Sequence, residues 1–276
     1  SKLLRCTILN KQEKYEECVT QTKTIIELAE KEKELFVLVE ASILMALSLL
    51  EMGELTKAMD FVTQSENYLQ QLPATSSLDY RKREMATINF IKGRIYRSQG
   101  DLSLASEFLQ LALQTQEELG LKEELGFTHN TIGLVYWYKG DLDSAETHFL
   151  RSLTFLSQKY NEWQLARTYS NLGAINGFKG ELNKALSFFQ KALKISETLI
   201  TAKQTTASIL HNIGEVYDRK GELEIALEYL QKSLVLKEEI GNKRYIAGTL
   251  HSIGTVFQKK GDLRQALTFI QQSLQF

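Results

Sequence analysis

Apolar side chains recur along this chain at the three- and four-residue spacing of an α-helix buried on one face. The register of that pattern resets six times, each time at a Gly-acid-Leu tripeptide. The six are Gly53-Glu54-Leu55, Gly100-Asp101-Leu102, Gly140-Asp141-Leu142, Gly180-Glu181-Leu182, Gly221-Glu222-Leu223 and Gly261-Asp262-Leu263, with glycine spacings of 47, 40, 40, 41 and 40. Such a tripeptide arises by chance at roughly 10⁻³ per position, so six copies in phase mark an internal repeat.

Other positions travel with the turn glycine. Five residues after it stands alanine: Ala58, Ala105, Ala145, Ala185, Ala226, Ala266. Nine after stands a large apolar residue: Val62, Leu109, Phe149, Phe189, Leu230, Ile270. Twelve after, the residue is small: Ser65, Ala112, Ser152, Ala192, Ser233, Ser273. Seven before, it is Ala46, Gly93, Gly133, Gly173, Gly214 or Gly254. A weaker copy precedes them, with Tyr15 and Cys18 forty residues before Leu55 and Ala58.

Each constant has a physical reason. The turn glycine takes the left-handed conformation that ends one helix, and the acid after it starts the next, facing exposed amides and the helix dipole. Small residues on both sides of the turn let two helices approach closely, where a large side chain would overpack. Helices are predicted over 14–32, 33–52, 55–71, 79–99, 102–119, 121–139, 142–159, 161–179, 182–199, 202–220, 222–240, 242–260 and 262–276, with a short one before residue 11. The 47-residue step coincides with Gln70-Gln71-Leu72-Pro73-Ala74-Thr75-Ser76-Ser77, a loop by composition. It is read as a longer connection within one domain. With no helix to cap the far end, Leu274 and Phe276 should be partly exposed or covered by a second molecule.

The segment Leu210-x-x-Ile213-Gly214-x-x-Tyr217, followed by Ala226-x-x-x-Leu230, resembles the tetratricopeptide repeat. The resemblance runs along essentially the whole chain. It departs in a period of 40 where 34 is usual, in lacking the repeat-ending proline, and in placing Asn176 and Phe257 at the tyrosine position. Longer units of this kind are similar to those of LGN/Pins-type polarity adaptors, kinesin light chains, Rap-type peptide sensors and MalT-type regulators. The resemblance implies an all-α fold, a right-handed superhelical solenoid of about seven antiparallel helix-turn-helix repeats. Residues 1–276 would form a single such domain, read as a segment of a longer protein.

Composition narrows the function. The charges nearly cancel, with 33 basic against 34 acidic side chains, so the broad electrostatic footprint of a nucleic-acid binder is missing. No apolar run approaches the ~18 residues of a membrane span. Cys6 and Cys18 are too few for a disulfide framework and fit a reducing compartment, the cytoplasm. No phosphate loop, Gly-x-Ser-x-Gly or His-Glu-x-x-His pattern occurs. His211 and His251 occupy equivalent repeat positions, but two histidines fall short of a metal's three or four ligands. Cys18 fills a packing slot, and the Arg81-Lys82-Arg83 cluster reads as a solvated face. Neither catalysis nor a cofactor or metal is expected.

What remains is the groove that the resemblance implies along the first helix of each hairpin. Its candidate residues are Phe90, Arg94 and Arg97 in one repeat, then Phe127, Asn130, Trp137 and Tyr138 in the next. Arg167, Asn171 and Phe178 follow, and then His211, Asn212 and Arg219. Trp137 and Tyr138 are placed in the groove because Val135 and Tyr136 already fill packing slots. Asn130, Asn171 and Asn212 form a ladder able to donate to and accept from a peptide backbone. Arginines and aromatics dominate recognition surfaces. The expected role is a protein-interaction scaffold holding a peptide or helical segment, one carrying acidic groups or a free carboxylate. The alternative is a ligand- or peptide-sensing domain of a larger regulator. An enzyme built across the groove has only the histidine pair in its favour.

Overall fold

The structure, a computed structural model, describes residues 2–11, 14–156, 162–199, 202–241 and 243–275. These residues form fourteen α-helices and no strand. The chain divides into two compact units, Ser1–Phe155 and Leu156–Phe276. The first holds α1 (Lys2–Lys11), α2 (Tyr15–Glu32), α3 (Leu35–Glu51), α4 (Leu55–Gln71), α5 (Leu78–Gln99), α6 (Leu102–Glu118), α7 (Lys122–Tyr138) and α8 (Leu142–Phe155). The second holds α9 (Glu162–Phe178), α10 (Leu182–Ser196), α11 (Lys203–Lys220), α12 (Leu223–Ile240), α13 (Lys243–Lys259) and α14 (Leu263–Ser273). Consecutive helices pair into hairpins, as the repeat requires. Predicted and observed limits agree closely; the predicted stretches 157–159, 161, 242 and 276 lie outside the described residues. Leu274 is exposed.

The turn glycines are required by the backbone, not by space. Gly100, Gly140 and Gly221 sit at φ of 86°, 82° and 79°, and a side chain on any of them would meet nothing. The following acid splits into two behaviours. Asp101, Asp141 and Asp262 each accept a hydrogen bond on Oδ1, at 3.0 Å, from the backbone N–H three residues on. Glu54 and Glu181, one methylene longer, make no such cap and reach Lys57 and Lys184 instead, at 3.1 and 3.2 Å. Those exposed pairs contribute little. Glu181→Asp is therefore expected to stabilise the chain, by about 0.5–1 kcal/mol, read as an upward shift of the urea midpoint.

The small residue seven before the turn glycine faces the large side chain nine after it, more than the alanine five after. A methyl group on Gly93 would lie 2.5 Å from Leu109 Cγ; on Gly133 or Gly173 it would lie 2.7 Å from the ring of Phe149 or Phe189. Those large side chains are buried at the centre of each hairpin. The serines twelve after the turn do more than stay small. Ser65, Ser152 and Ser233 donate to the carbonyls of Val39, Gly126 and Ala207 on the first helix, at 3.2, 2.7 and 2.7 Å. Aromatic stacks also repeat: Tyr96 on Phe108, Tyr217 on Tyr229 and Phe257 on Phe269, with centroids 5.4–5.6 Å apart. Where Asn176 replaces the tyrosine, Phe188 stacks on Tyr169 instead.

The long step is absorbed by the connection 72–77 and by a longer α5, 22 residues against 17 for α7. Here Lys82 and Arg83 are exposed, as a solvated face requires, but Arg81 departs from that expectation. Arg81 donates to the carbonyls of Leu69, Leu72 and Pro73, at 3.1, 2.7 and 2.7 Å, tying down the end of α4 and the loop. Lys82 and Arg83 pair with Glu118 and Glu124 across neighbouring helices. Cys6 and Cys18 are free and buried, and the Cys18 thiol donates to the Cys6 carbonyl at 3.2 Å, which fits the packing role.

Candidate functional site

In each unit the first helices of successive hairpins touch: α3 with α5 and α5 with α7 in one, α9 with α11 and α11 with α13 in the other. The second helices of successive hairpins do not meet among the described residues. The first helices thus form the closer-packed row, and the candidate residues lie on them.

In the first unit this row brings Arg97 and Tyr138 together. They line a cleft of about 440 Å³ at the carboxyl ends of α5 and α7, closed by Ser98, Gln99, Gly100 and Leu102. Tyr138 is 66% exposed and Arg97 half-buried. A guanidinium beside an exposed phenol ring can hold a carboxylate and an apolar side chain at once. Phe127 and Trp137 are half-buried on the same helix as Tyr138. Phe90 is half-buried between two hydrophobic clusters, with the Arg94 guanidinium 5.8 Å from its ring.

Other predicted residues serve the fold. Arg94 donates to Glu51 on α3 at 2.6 Å, an ion pair largely shielded from solvent. Asn130 is only 4% exposed, so it leaves the ladder: one residue off the slot of Asn171 and Asn212, it turns about 100° around the helix into the packing. In the second unit Asn171, Asn212 and Arg167 stay half-buried, and Phe178 is 67% exposed. The Arg167 guanidinium sits 5.6 Å from the Trp163 ring. Arg219 donates to the Gly177 carbonyl on α9. His211 Nε2 lies 3.2 Å from Glu215 Oε1, and Lys259 pairs with Asp218 at 2.7 Å. The Arg219 and Lys259 contacts join successive first helices, while those of Arg167 and His211 stay within α9 and α11.

Three features escaped the sequence. His129 and His148, nineteen residues apart, meet with their Nδ1 atoms 3.1 Å apart between α7 and α8. His148 occupies the aromatic slot and stacks on Tyr136. The signal was there: His148 aligns with Phe61, Phe108, Phe188, Tyr229 and Phe269, eight residues after the turn glycine. Among the described residues no three His, Cys, Asp or Glu side chains converge as metal ligands. The second feature is acidic. Glu84 on α5 is pushed up to about 7 by burial and then by the carboxylate of Glu40, so the amino-terminal ends of these first helices resist further negative charge. The third is a more apolar cleft of about 720 Å³ in the second unit, where Leu199, Leu210, Val235 and Leu236 lie between α10, α11 and α12. No helix among the described residues is long and apolar enough to cross a membrane.

Solved structures of low sequence identity share this fold. The apo form of RapI superposes with a TM-score of 0.73 at 19% identity, over 99% of this chain and 74% of that one. A Rap protein complexed with Competence and Sporulation Factor gives 0.71 at 14%, over the same shares. BtubC (BKLC) from P. vanneervenii gives 0.65 at 19%, over 83% of this chain and 92% of its own. No curated protein sequence matches significantly. The family model of the MalT-like TPR region, however, matches residues 86–276, the greater part of the chain. With the in-phase Gly-acid-Leu turns and the stacked hairpins they build, that match places the chain in the tetratricopeptide-repeat proteins, in the family of the MalT-like TPR region.

Proposed function

We propose that this chain is a non-catalytic interaction module that holds a peptide or helical segment of a protein partner along its first-helix row. The observation that carries this reading is the Arg97–Tyr138 cleft, where an arginine and an exposed aromatic from successive hairpins share one concave site. The chemistry fits a segment with a carboxylate, from an acidic side chain or a chain end, next to an apolar side chain. That carboxylate belongs at the carboxyl ends of α5 and α7, away from Glu40 and Glu84. Half-buried Trp137 and Phe127 supply apolar wall, and Arg167, Asn171, Asn212 and Phe178 are the corresponding surface of the second unit. The Rap protein solved with Competence and Sporulation Factor is a chain of this fold carrying a bound factor, which supports a ligand-holding role. The proposed partner is protein, not nucleic acid or membrane, and the proposed compartment is the cytoplasm. The match to a MalT-like region favours a second reading, in which ligand binding here regulates an attached effector.

A pull-down with the purified chain, read by mass spectrometry, identifies partners for titration. Arg97→Ala and Tyr138→Ala are each expected to weaken binding roughly 5- to 150-fold, by ~1–3 kcal/mol, and Asn171→Ala to weaken it less. Added salt should lower affinity as the guanidinium is screened. Leu111→Ala, on the exposed face of second helix α6, should leave affinity unchanged. Loss of binding in that variant, with Arg97→Ala and Tyr138→Ala neutral, would place the partner on the other row.

A further inference from the structure

Helix α12 carries a lysine on its buried face. Lys237 is 4% exposed and donates from Nζ to Thr249 Oγ1 on α13, at 2.7 Å. Among the described residues it has no carboxylate within ion-pairing distance. An ammonium carries three N–H donors and no acceptor capacity. A charged Lys237 therefore has one protein acceptor for three donors, at a position nearly closed to solvent, which is costly.

The groups around it come from two helices. From α11, His211 presents Nδ1 at 3.3 Å to Thr249 Oγ1, while its Nε2 faces Glu215. From α13 come Thr249 and Ser252, whose hydroxyls also donate within their own helix, to Tyr245 and Gly248. Glu215 is the one acid that favours the ammonium, but it lies beyond His211 and its side chain is 54% exposed, so solvent screens it. Burial wins, and pushes the Lys237 amine down to about 8.

The first unit contains the same joint without the charge. Sixteen residues after its turn glycine, α6 places Gln116 where α12 places Lys237. Gln116 is equally buried, and its Oε1 accepts from Thr128 Oγ1, the counterpart of Thr249, at 2.7 Å. The repeat thus tolerates a neutral side chain of similar length at this position and needs no charge there.

We propose that Lys237 is a proton-operated latch between α12 and the α13–α14 hairpin, closed when the amine is neutral and loosened when it is charged. A free lysine titrates near 10.5, so between about 8 and 10.5 the unfolded chain holds one proton more than the folded one. Stability consequently rises with pH through that window, and the deficit is fully present below about 8.

Lys237→Gln, which copies the Gln116 joint, is the test. At pH 7 it should make folding more favourable than in the unsubstituted chain, by on the order of 10²-fold in the equilibrium constant. At pH 10 that advantage should shrink to roughly fourfold. Hydrogen exchange of α13 amides, corrected for intrinsic rates, should slow from pH 7 to pH 9 in the unsubstituted chain and stay level in the variant. A side-chain lysine NMR titration of the unsubstituted chain, which does not depend on the variant folding, should show one amine titrating near 8. A Lys237 amine titrating above 10 overturns the proposal. So does a Lys237→Gln variant destabilised equally at both pH values, since that is the signature of a merely structural bond.

Discussion

Gly214→Ala lowers stability by about 1–2 kcal/mol, and adding Leu230→Val restores much of it. Two effects oppose each other at this site. Replacing a mid-helix glycine by alanine favours the helix by ~0.5–1 kcal/mol. Against that, the new methyl lies 2.7 Å from Leu230 Cγ, 3.0 Å from its Cδ2 and 3.2 Å from the Ala226 carbonyl oxygen. Leu230 is fully buried and cannot withdraw, and overpacking of this kind costs ~1–3 kcal/mol. The overlap wins. The compensating change is taken from the chain itself: the α3–α4 hairpin carries alanine at the equivalent position, Ala46, and there the large partner shrinks to Val62. Urea unfolding of the two single variants and the double variant gives the interaction energy directly. Strict additivity of the two changes would mean that these positions do not face each other.

The second large effect is in acid. Between pH 7 and pH 4 the His129–His148 pair should withdraw about 3 kcal/mol of stability from the first unit. Burial, then the neighbouring His148 and Arg151, push His129 down to about 4; burial and Arg151 push His148 below its usual value. Both rings are therefore neutral at pH 7, one Nδ1 donating to the other across 3.1 Å. Because the folded values lie below that of a free histidine, the folded chain holds fewer protons as pH falls from about 6.5 to 4. Its stability is lost across that window. Glu84 acts in the opposite sense: its carboxyl, raised to about 7, is protonated first and returns stability. The histidine contribution is thus read as the difference between the unsubstituted chain and His129→Leu/His148→Phe. That pair reproduces Leu250 and Phe269 of the α13–α14 hairpin, so the fold already accommodates it. The difference should close or reverse toward pH 7 and grow steadily below pH 6. A pH-independent difference would show that the pair does not titrate in this range.

The two titrating sites share one origin. The repeat fixes its small and large packing positions but leaves charge free elsewhere, and twice it admits a basic side chain to the packing, half-buried at His148 and fully at Lys237. His148 stands where other hairpins have phenylalanine or tyrosine, and Lys237 where α6 has glutamine. Neither is unusual in isolation. Each is pushed toward its neutral form by burial against neighbouring helices.

That difference separates what was legible in the chain from what was not. The helices, their limits and their pairing could be read from the sequence because they rest on local rules. A left-handed glycine, an acid at the next amino terminus and an apolar stripe at helical spacing lie within about twenty residues of one another and recur six times. The small and large packing slots were legible for the same reason, each at a fixed distance from the turn glycine, but that Gly214 faces Leu230 more than Ala226 was decided by the packing. The fate of each first-helix side chain was not. Arg94 is taken by Glu51 forty-three residues away, and Arg219 by the Gly177 carbonyl at a distance of forty-two. Asn130 is buried, where the ladder needed it exposed. Such partners belong to the neighbouring hairpin, and the repeat does not constrain which polar residue stands there. One turn-glycine spacing sets where a helix begins, but only the stacking of one hairpin on the next decides whether an arginine faces a partner protein or closes an internal pair.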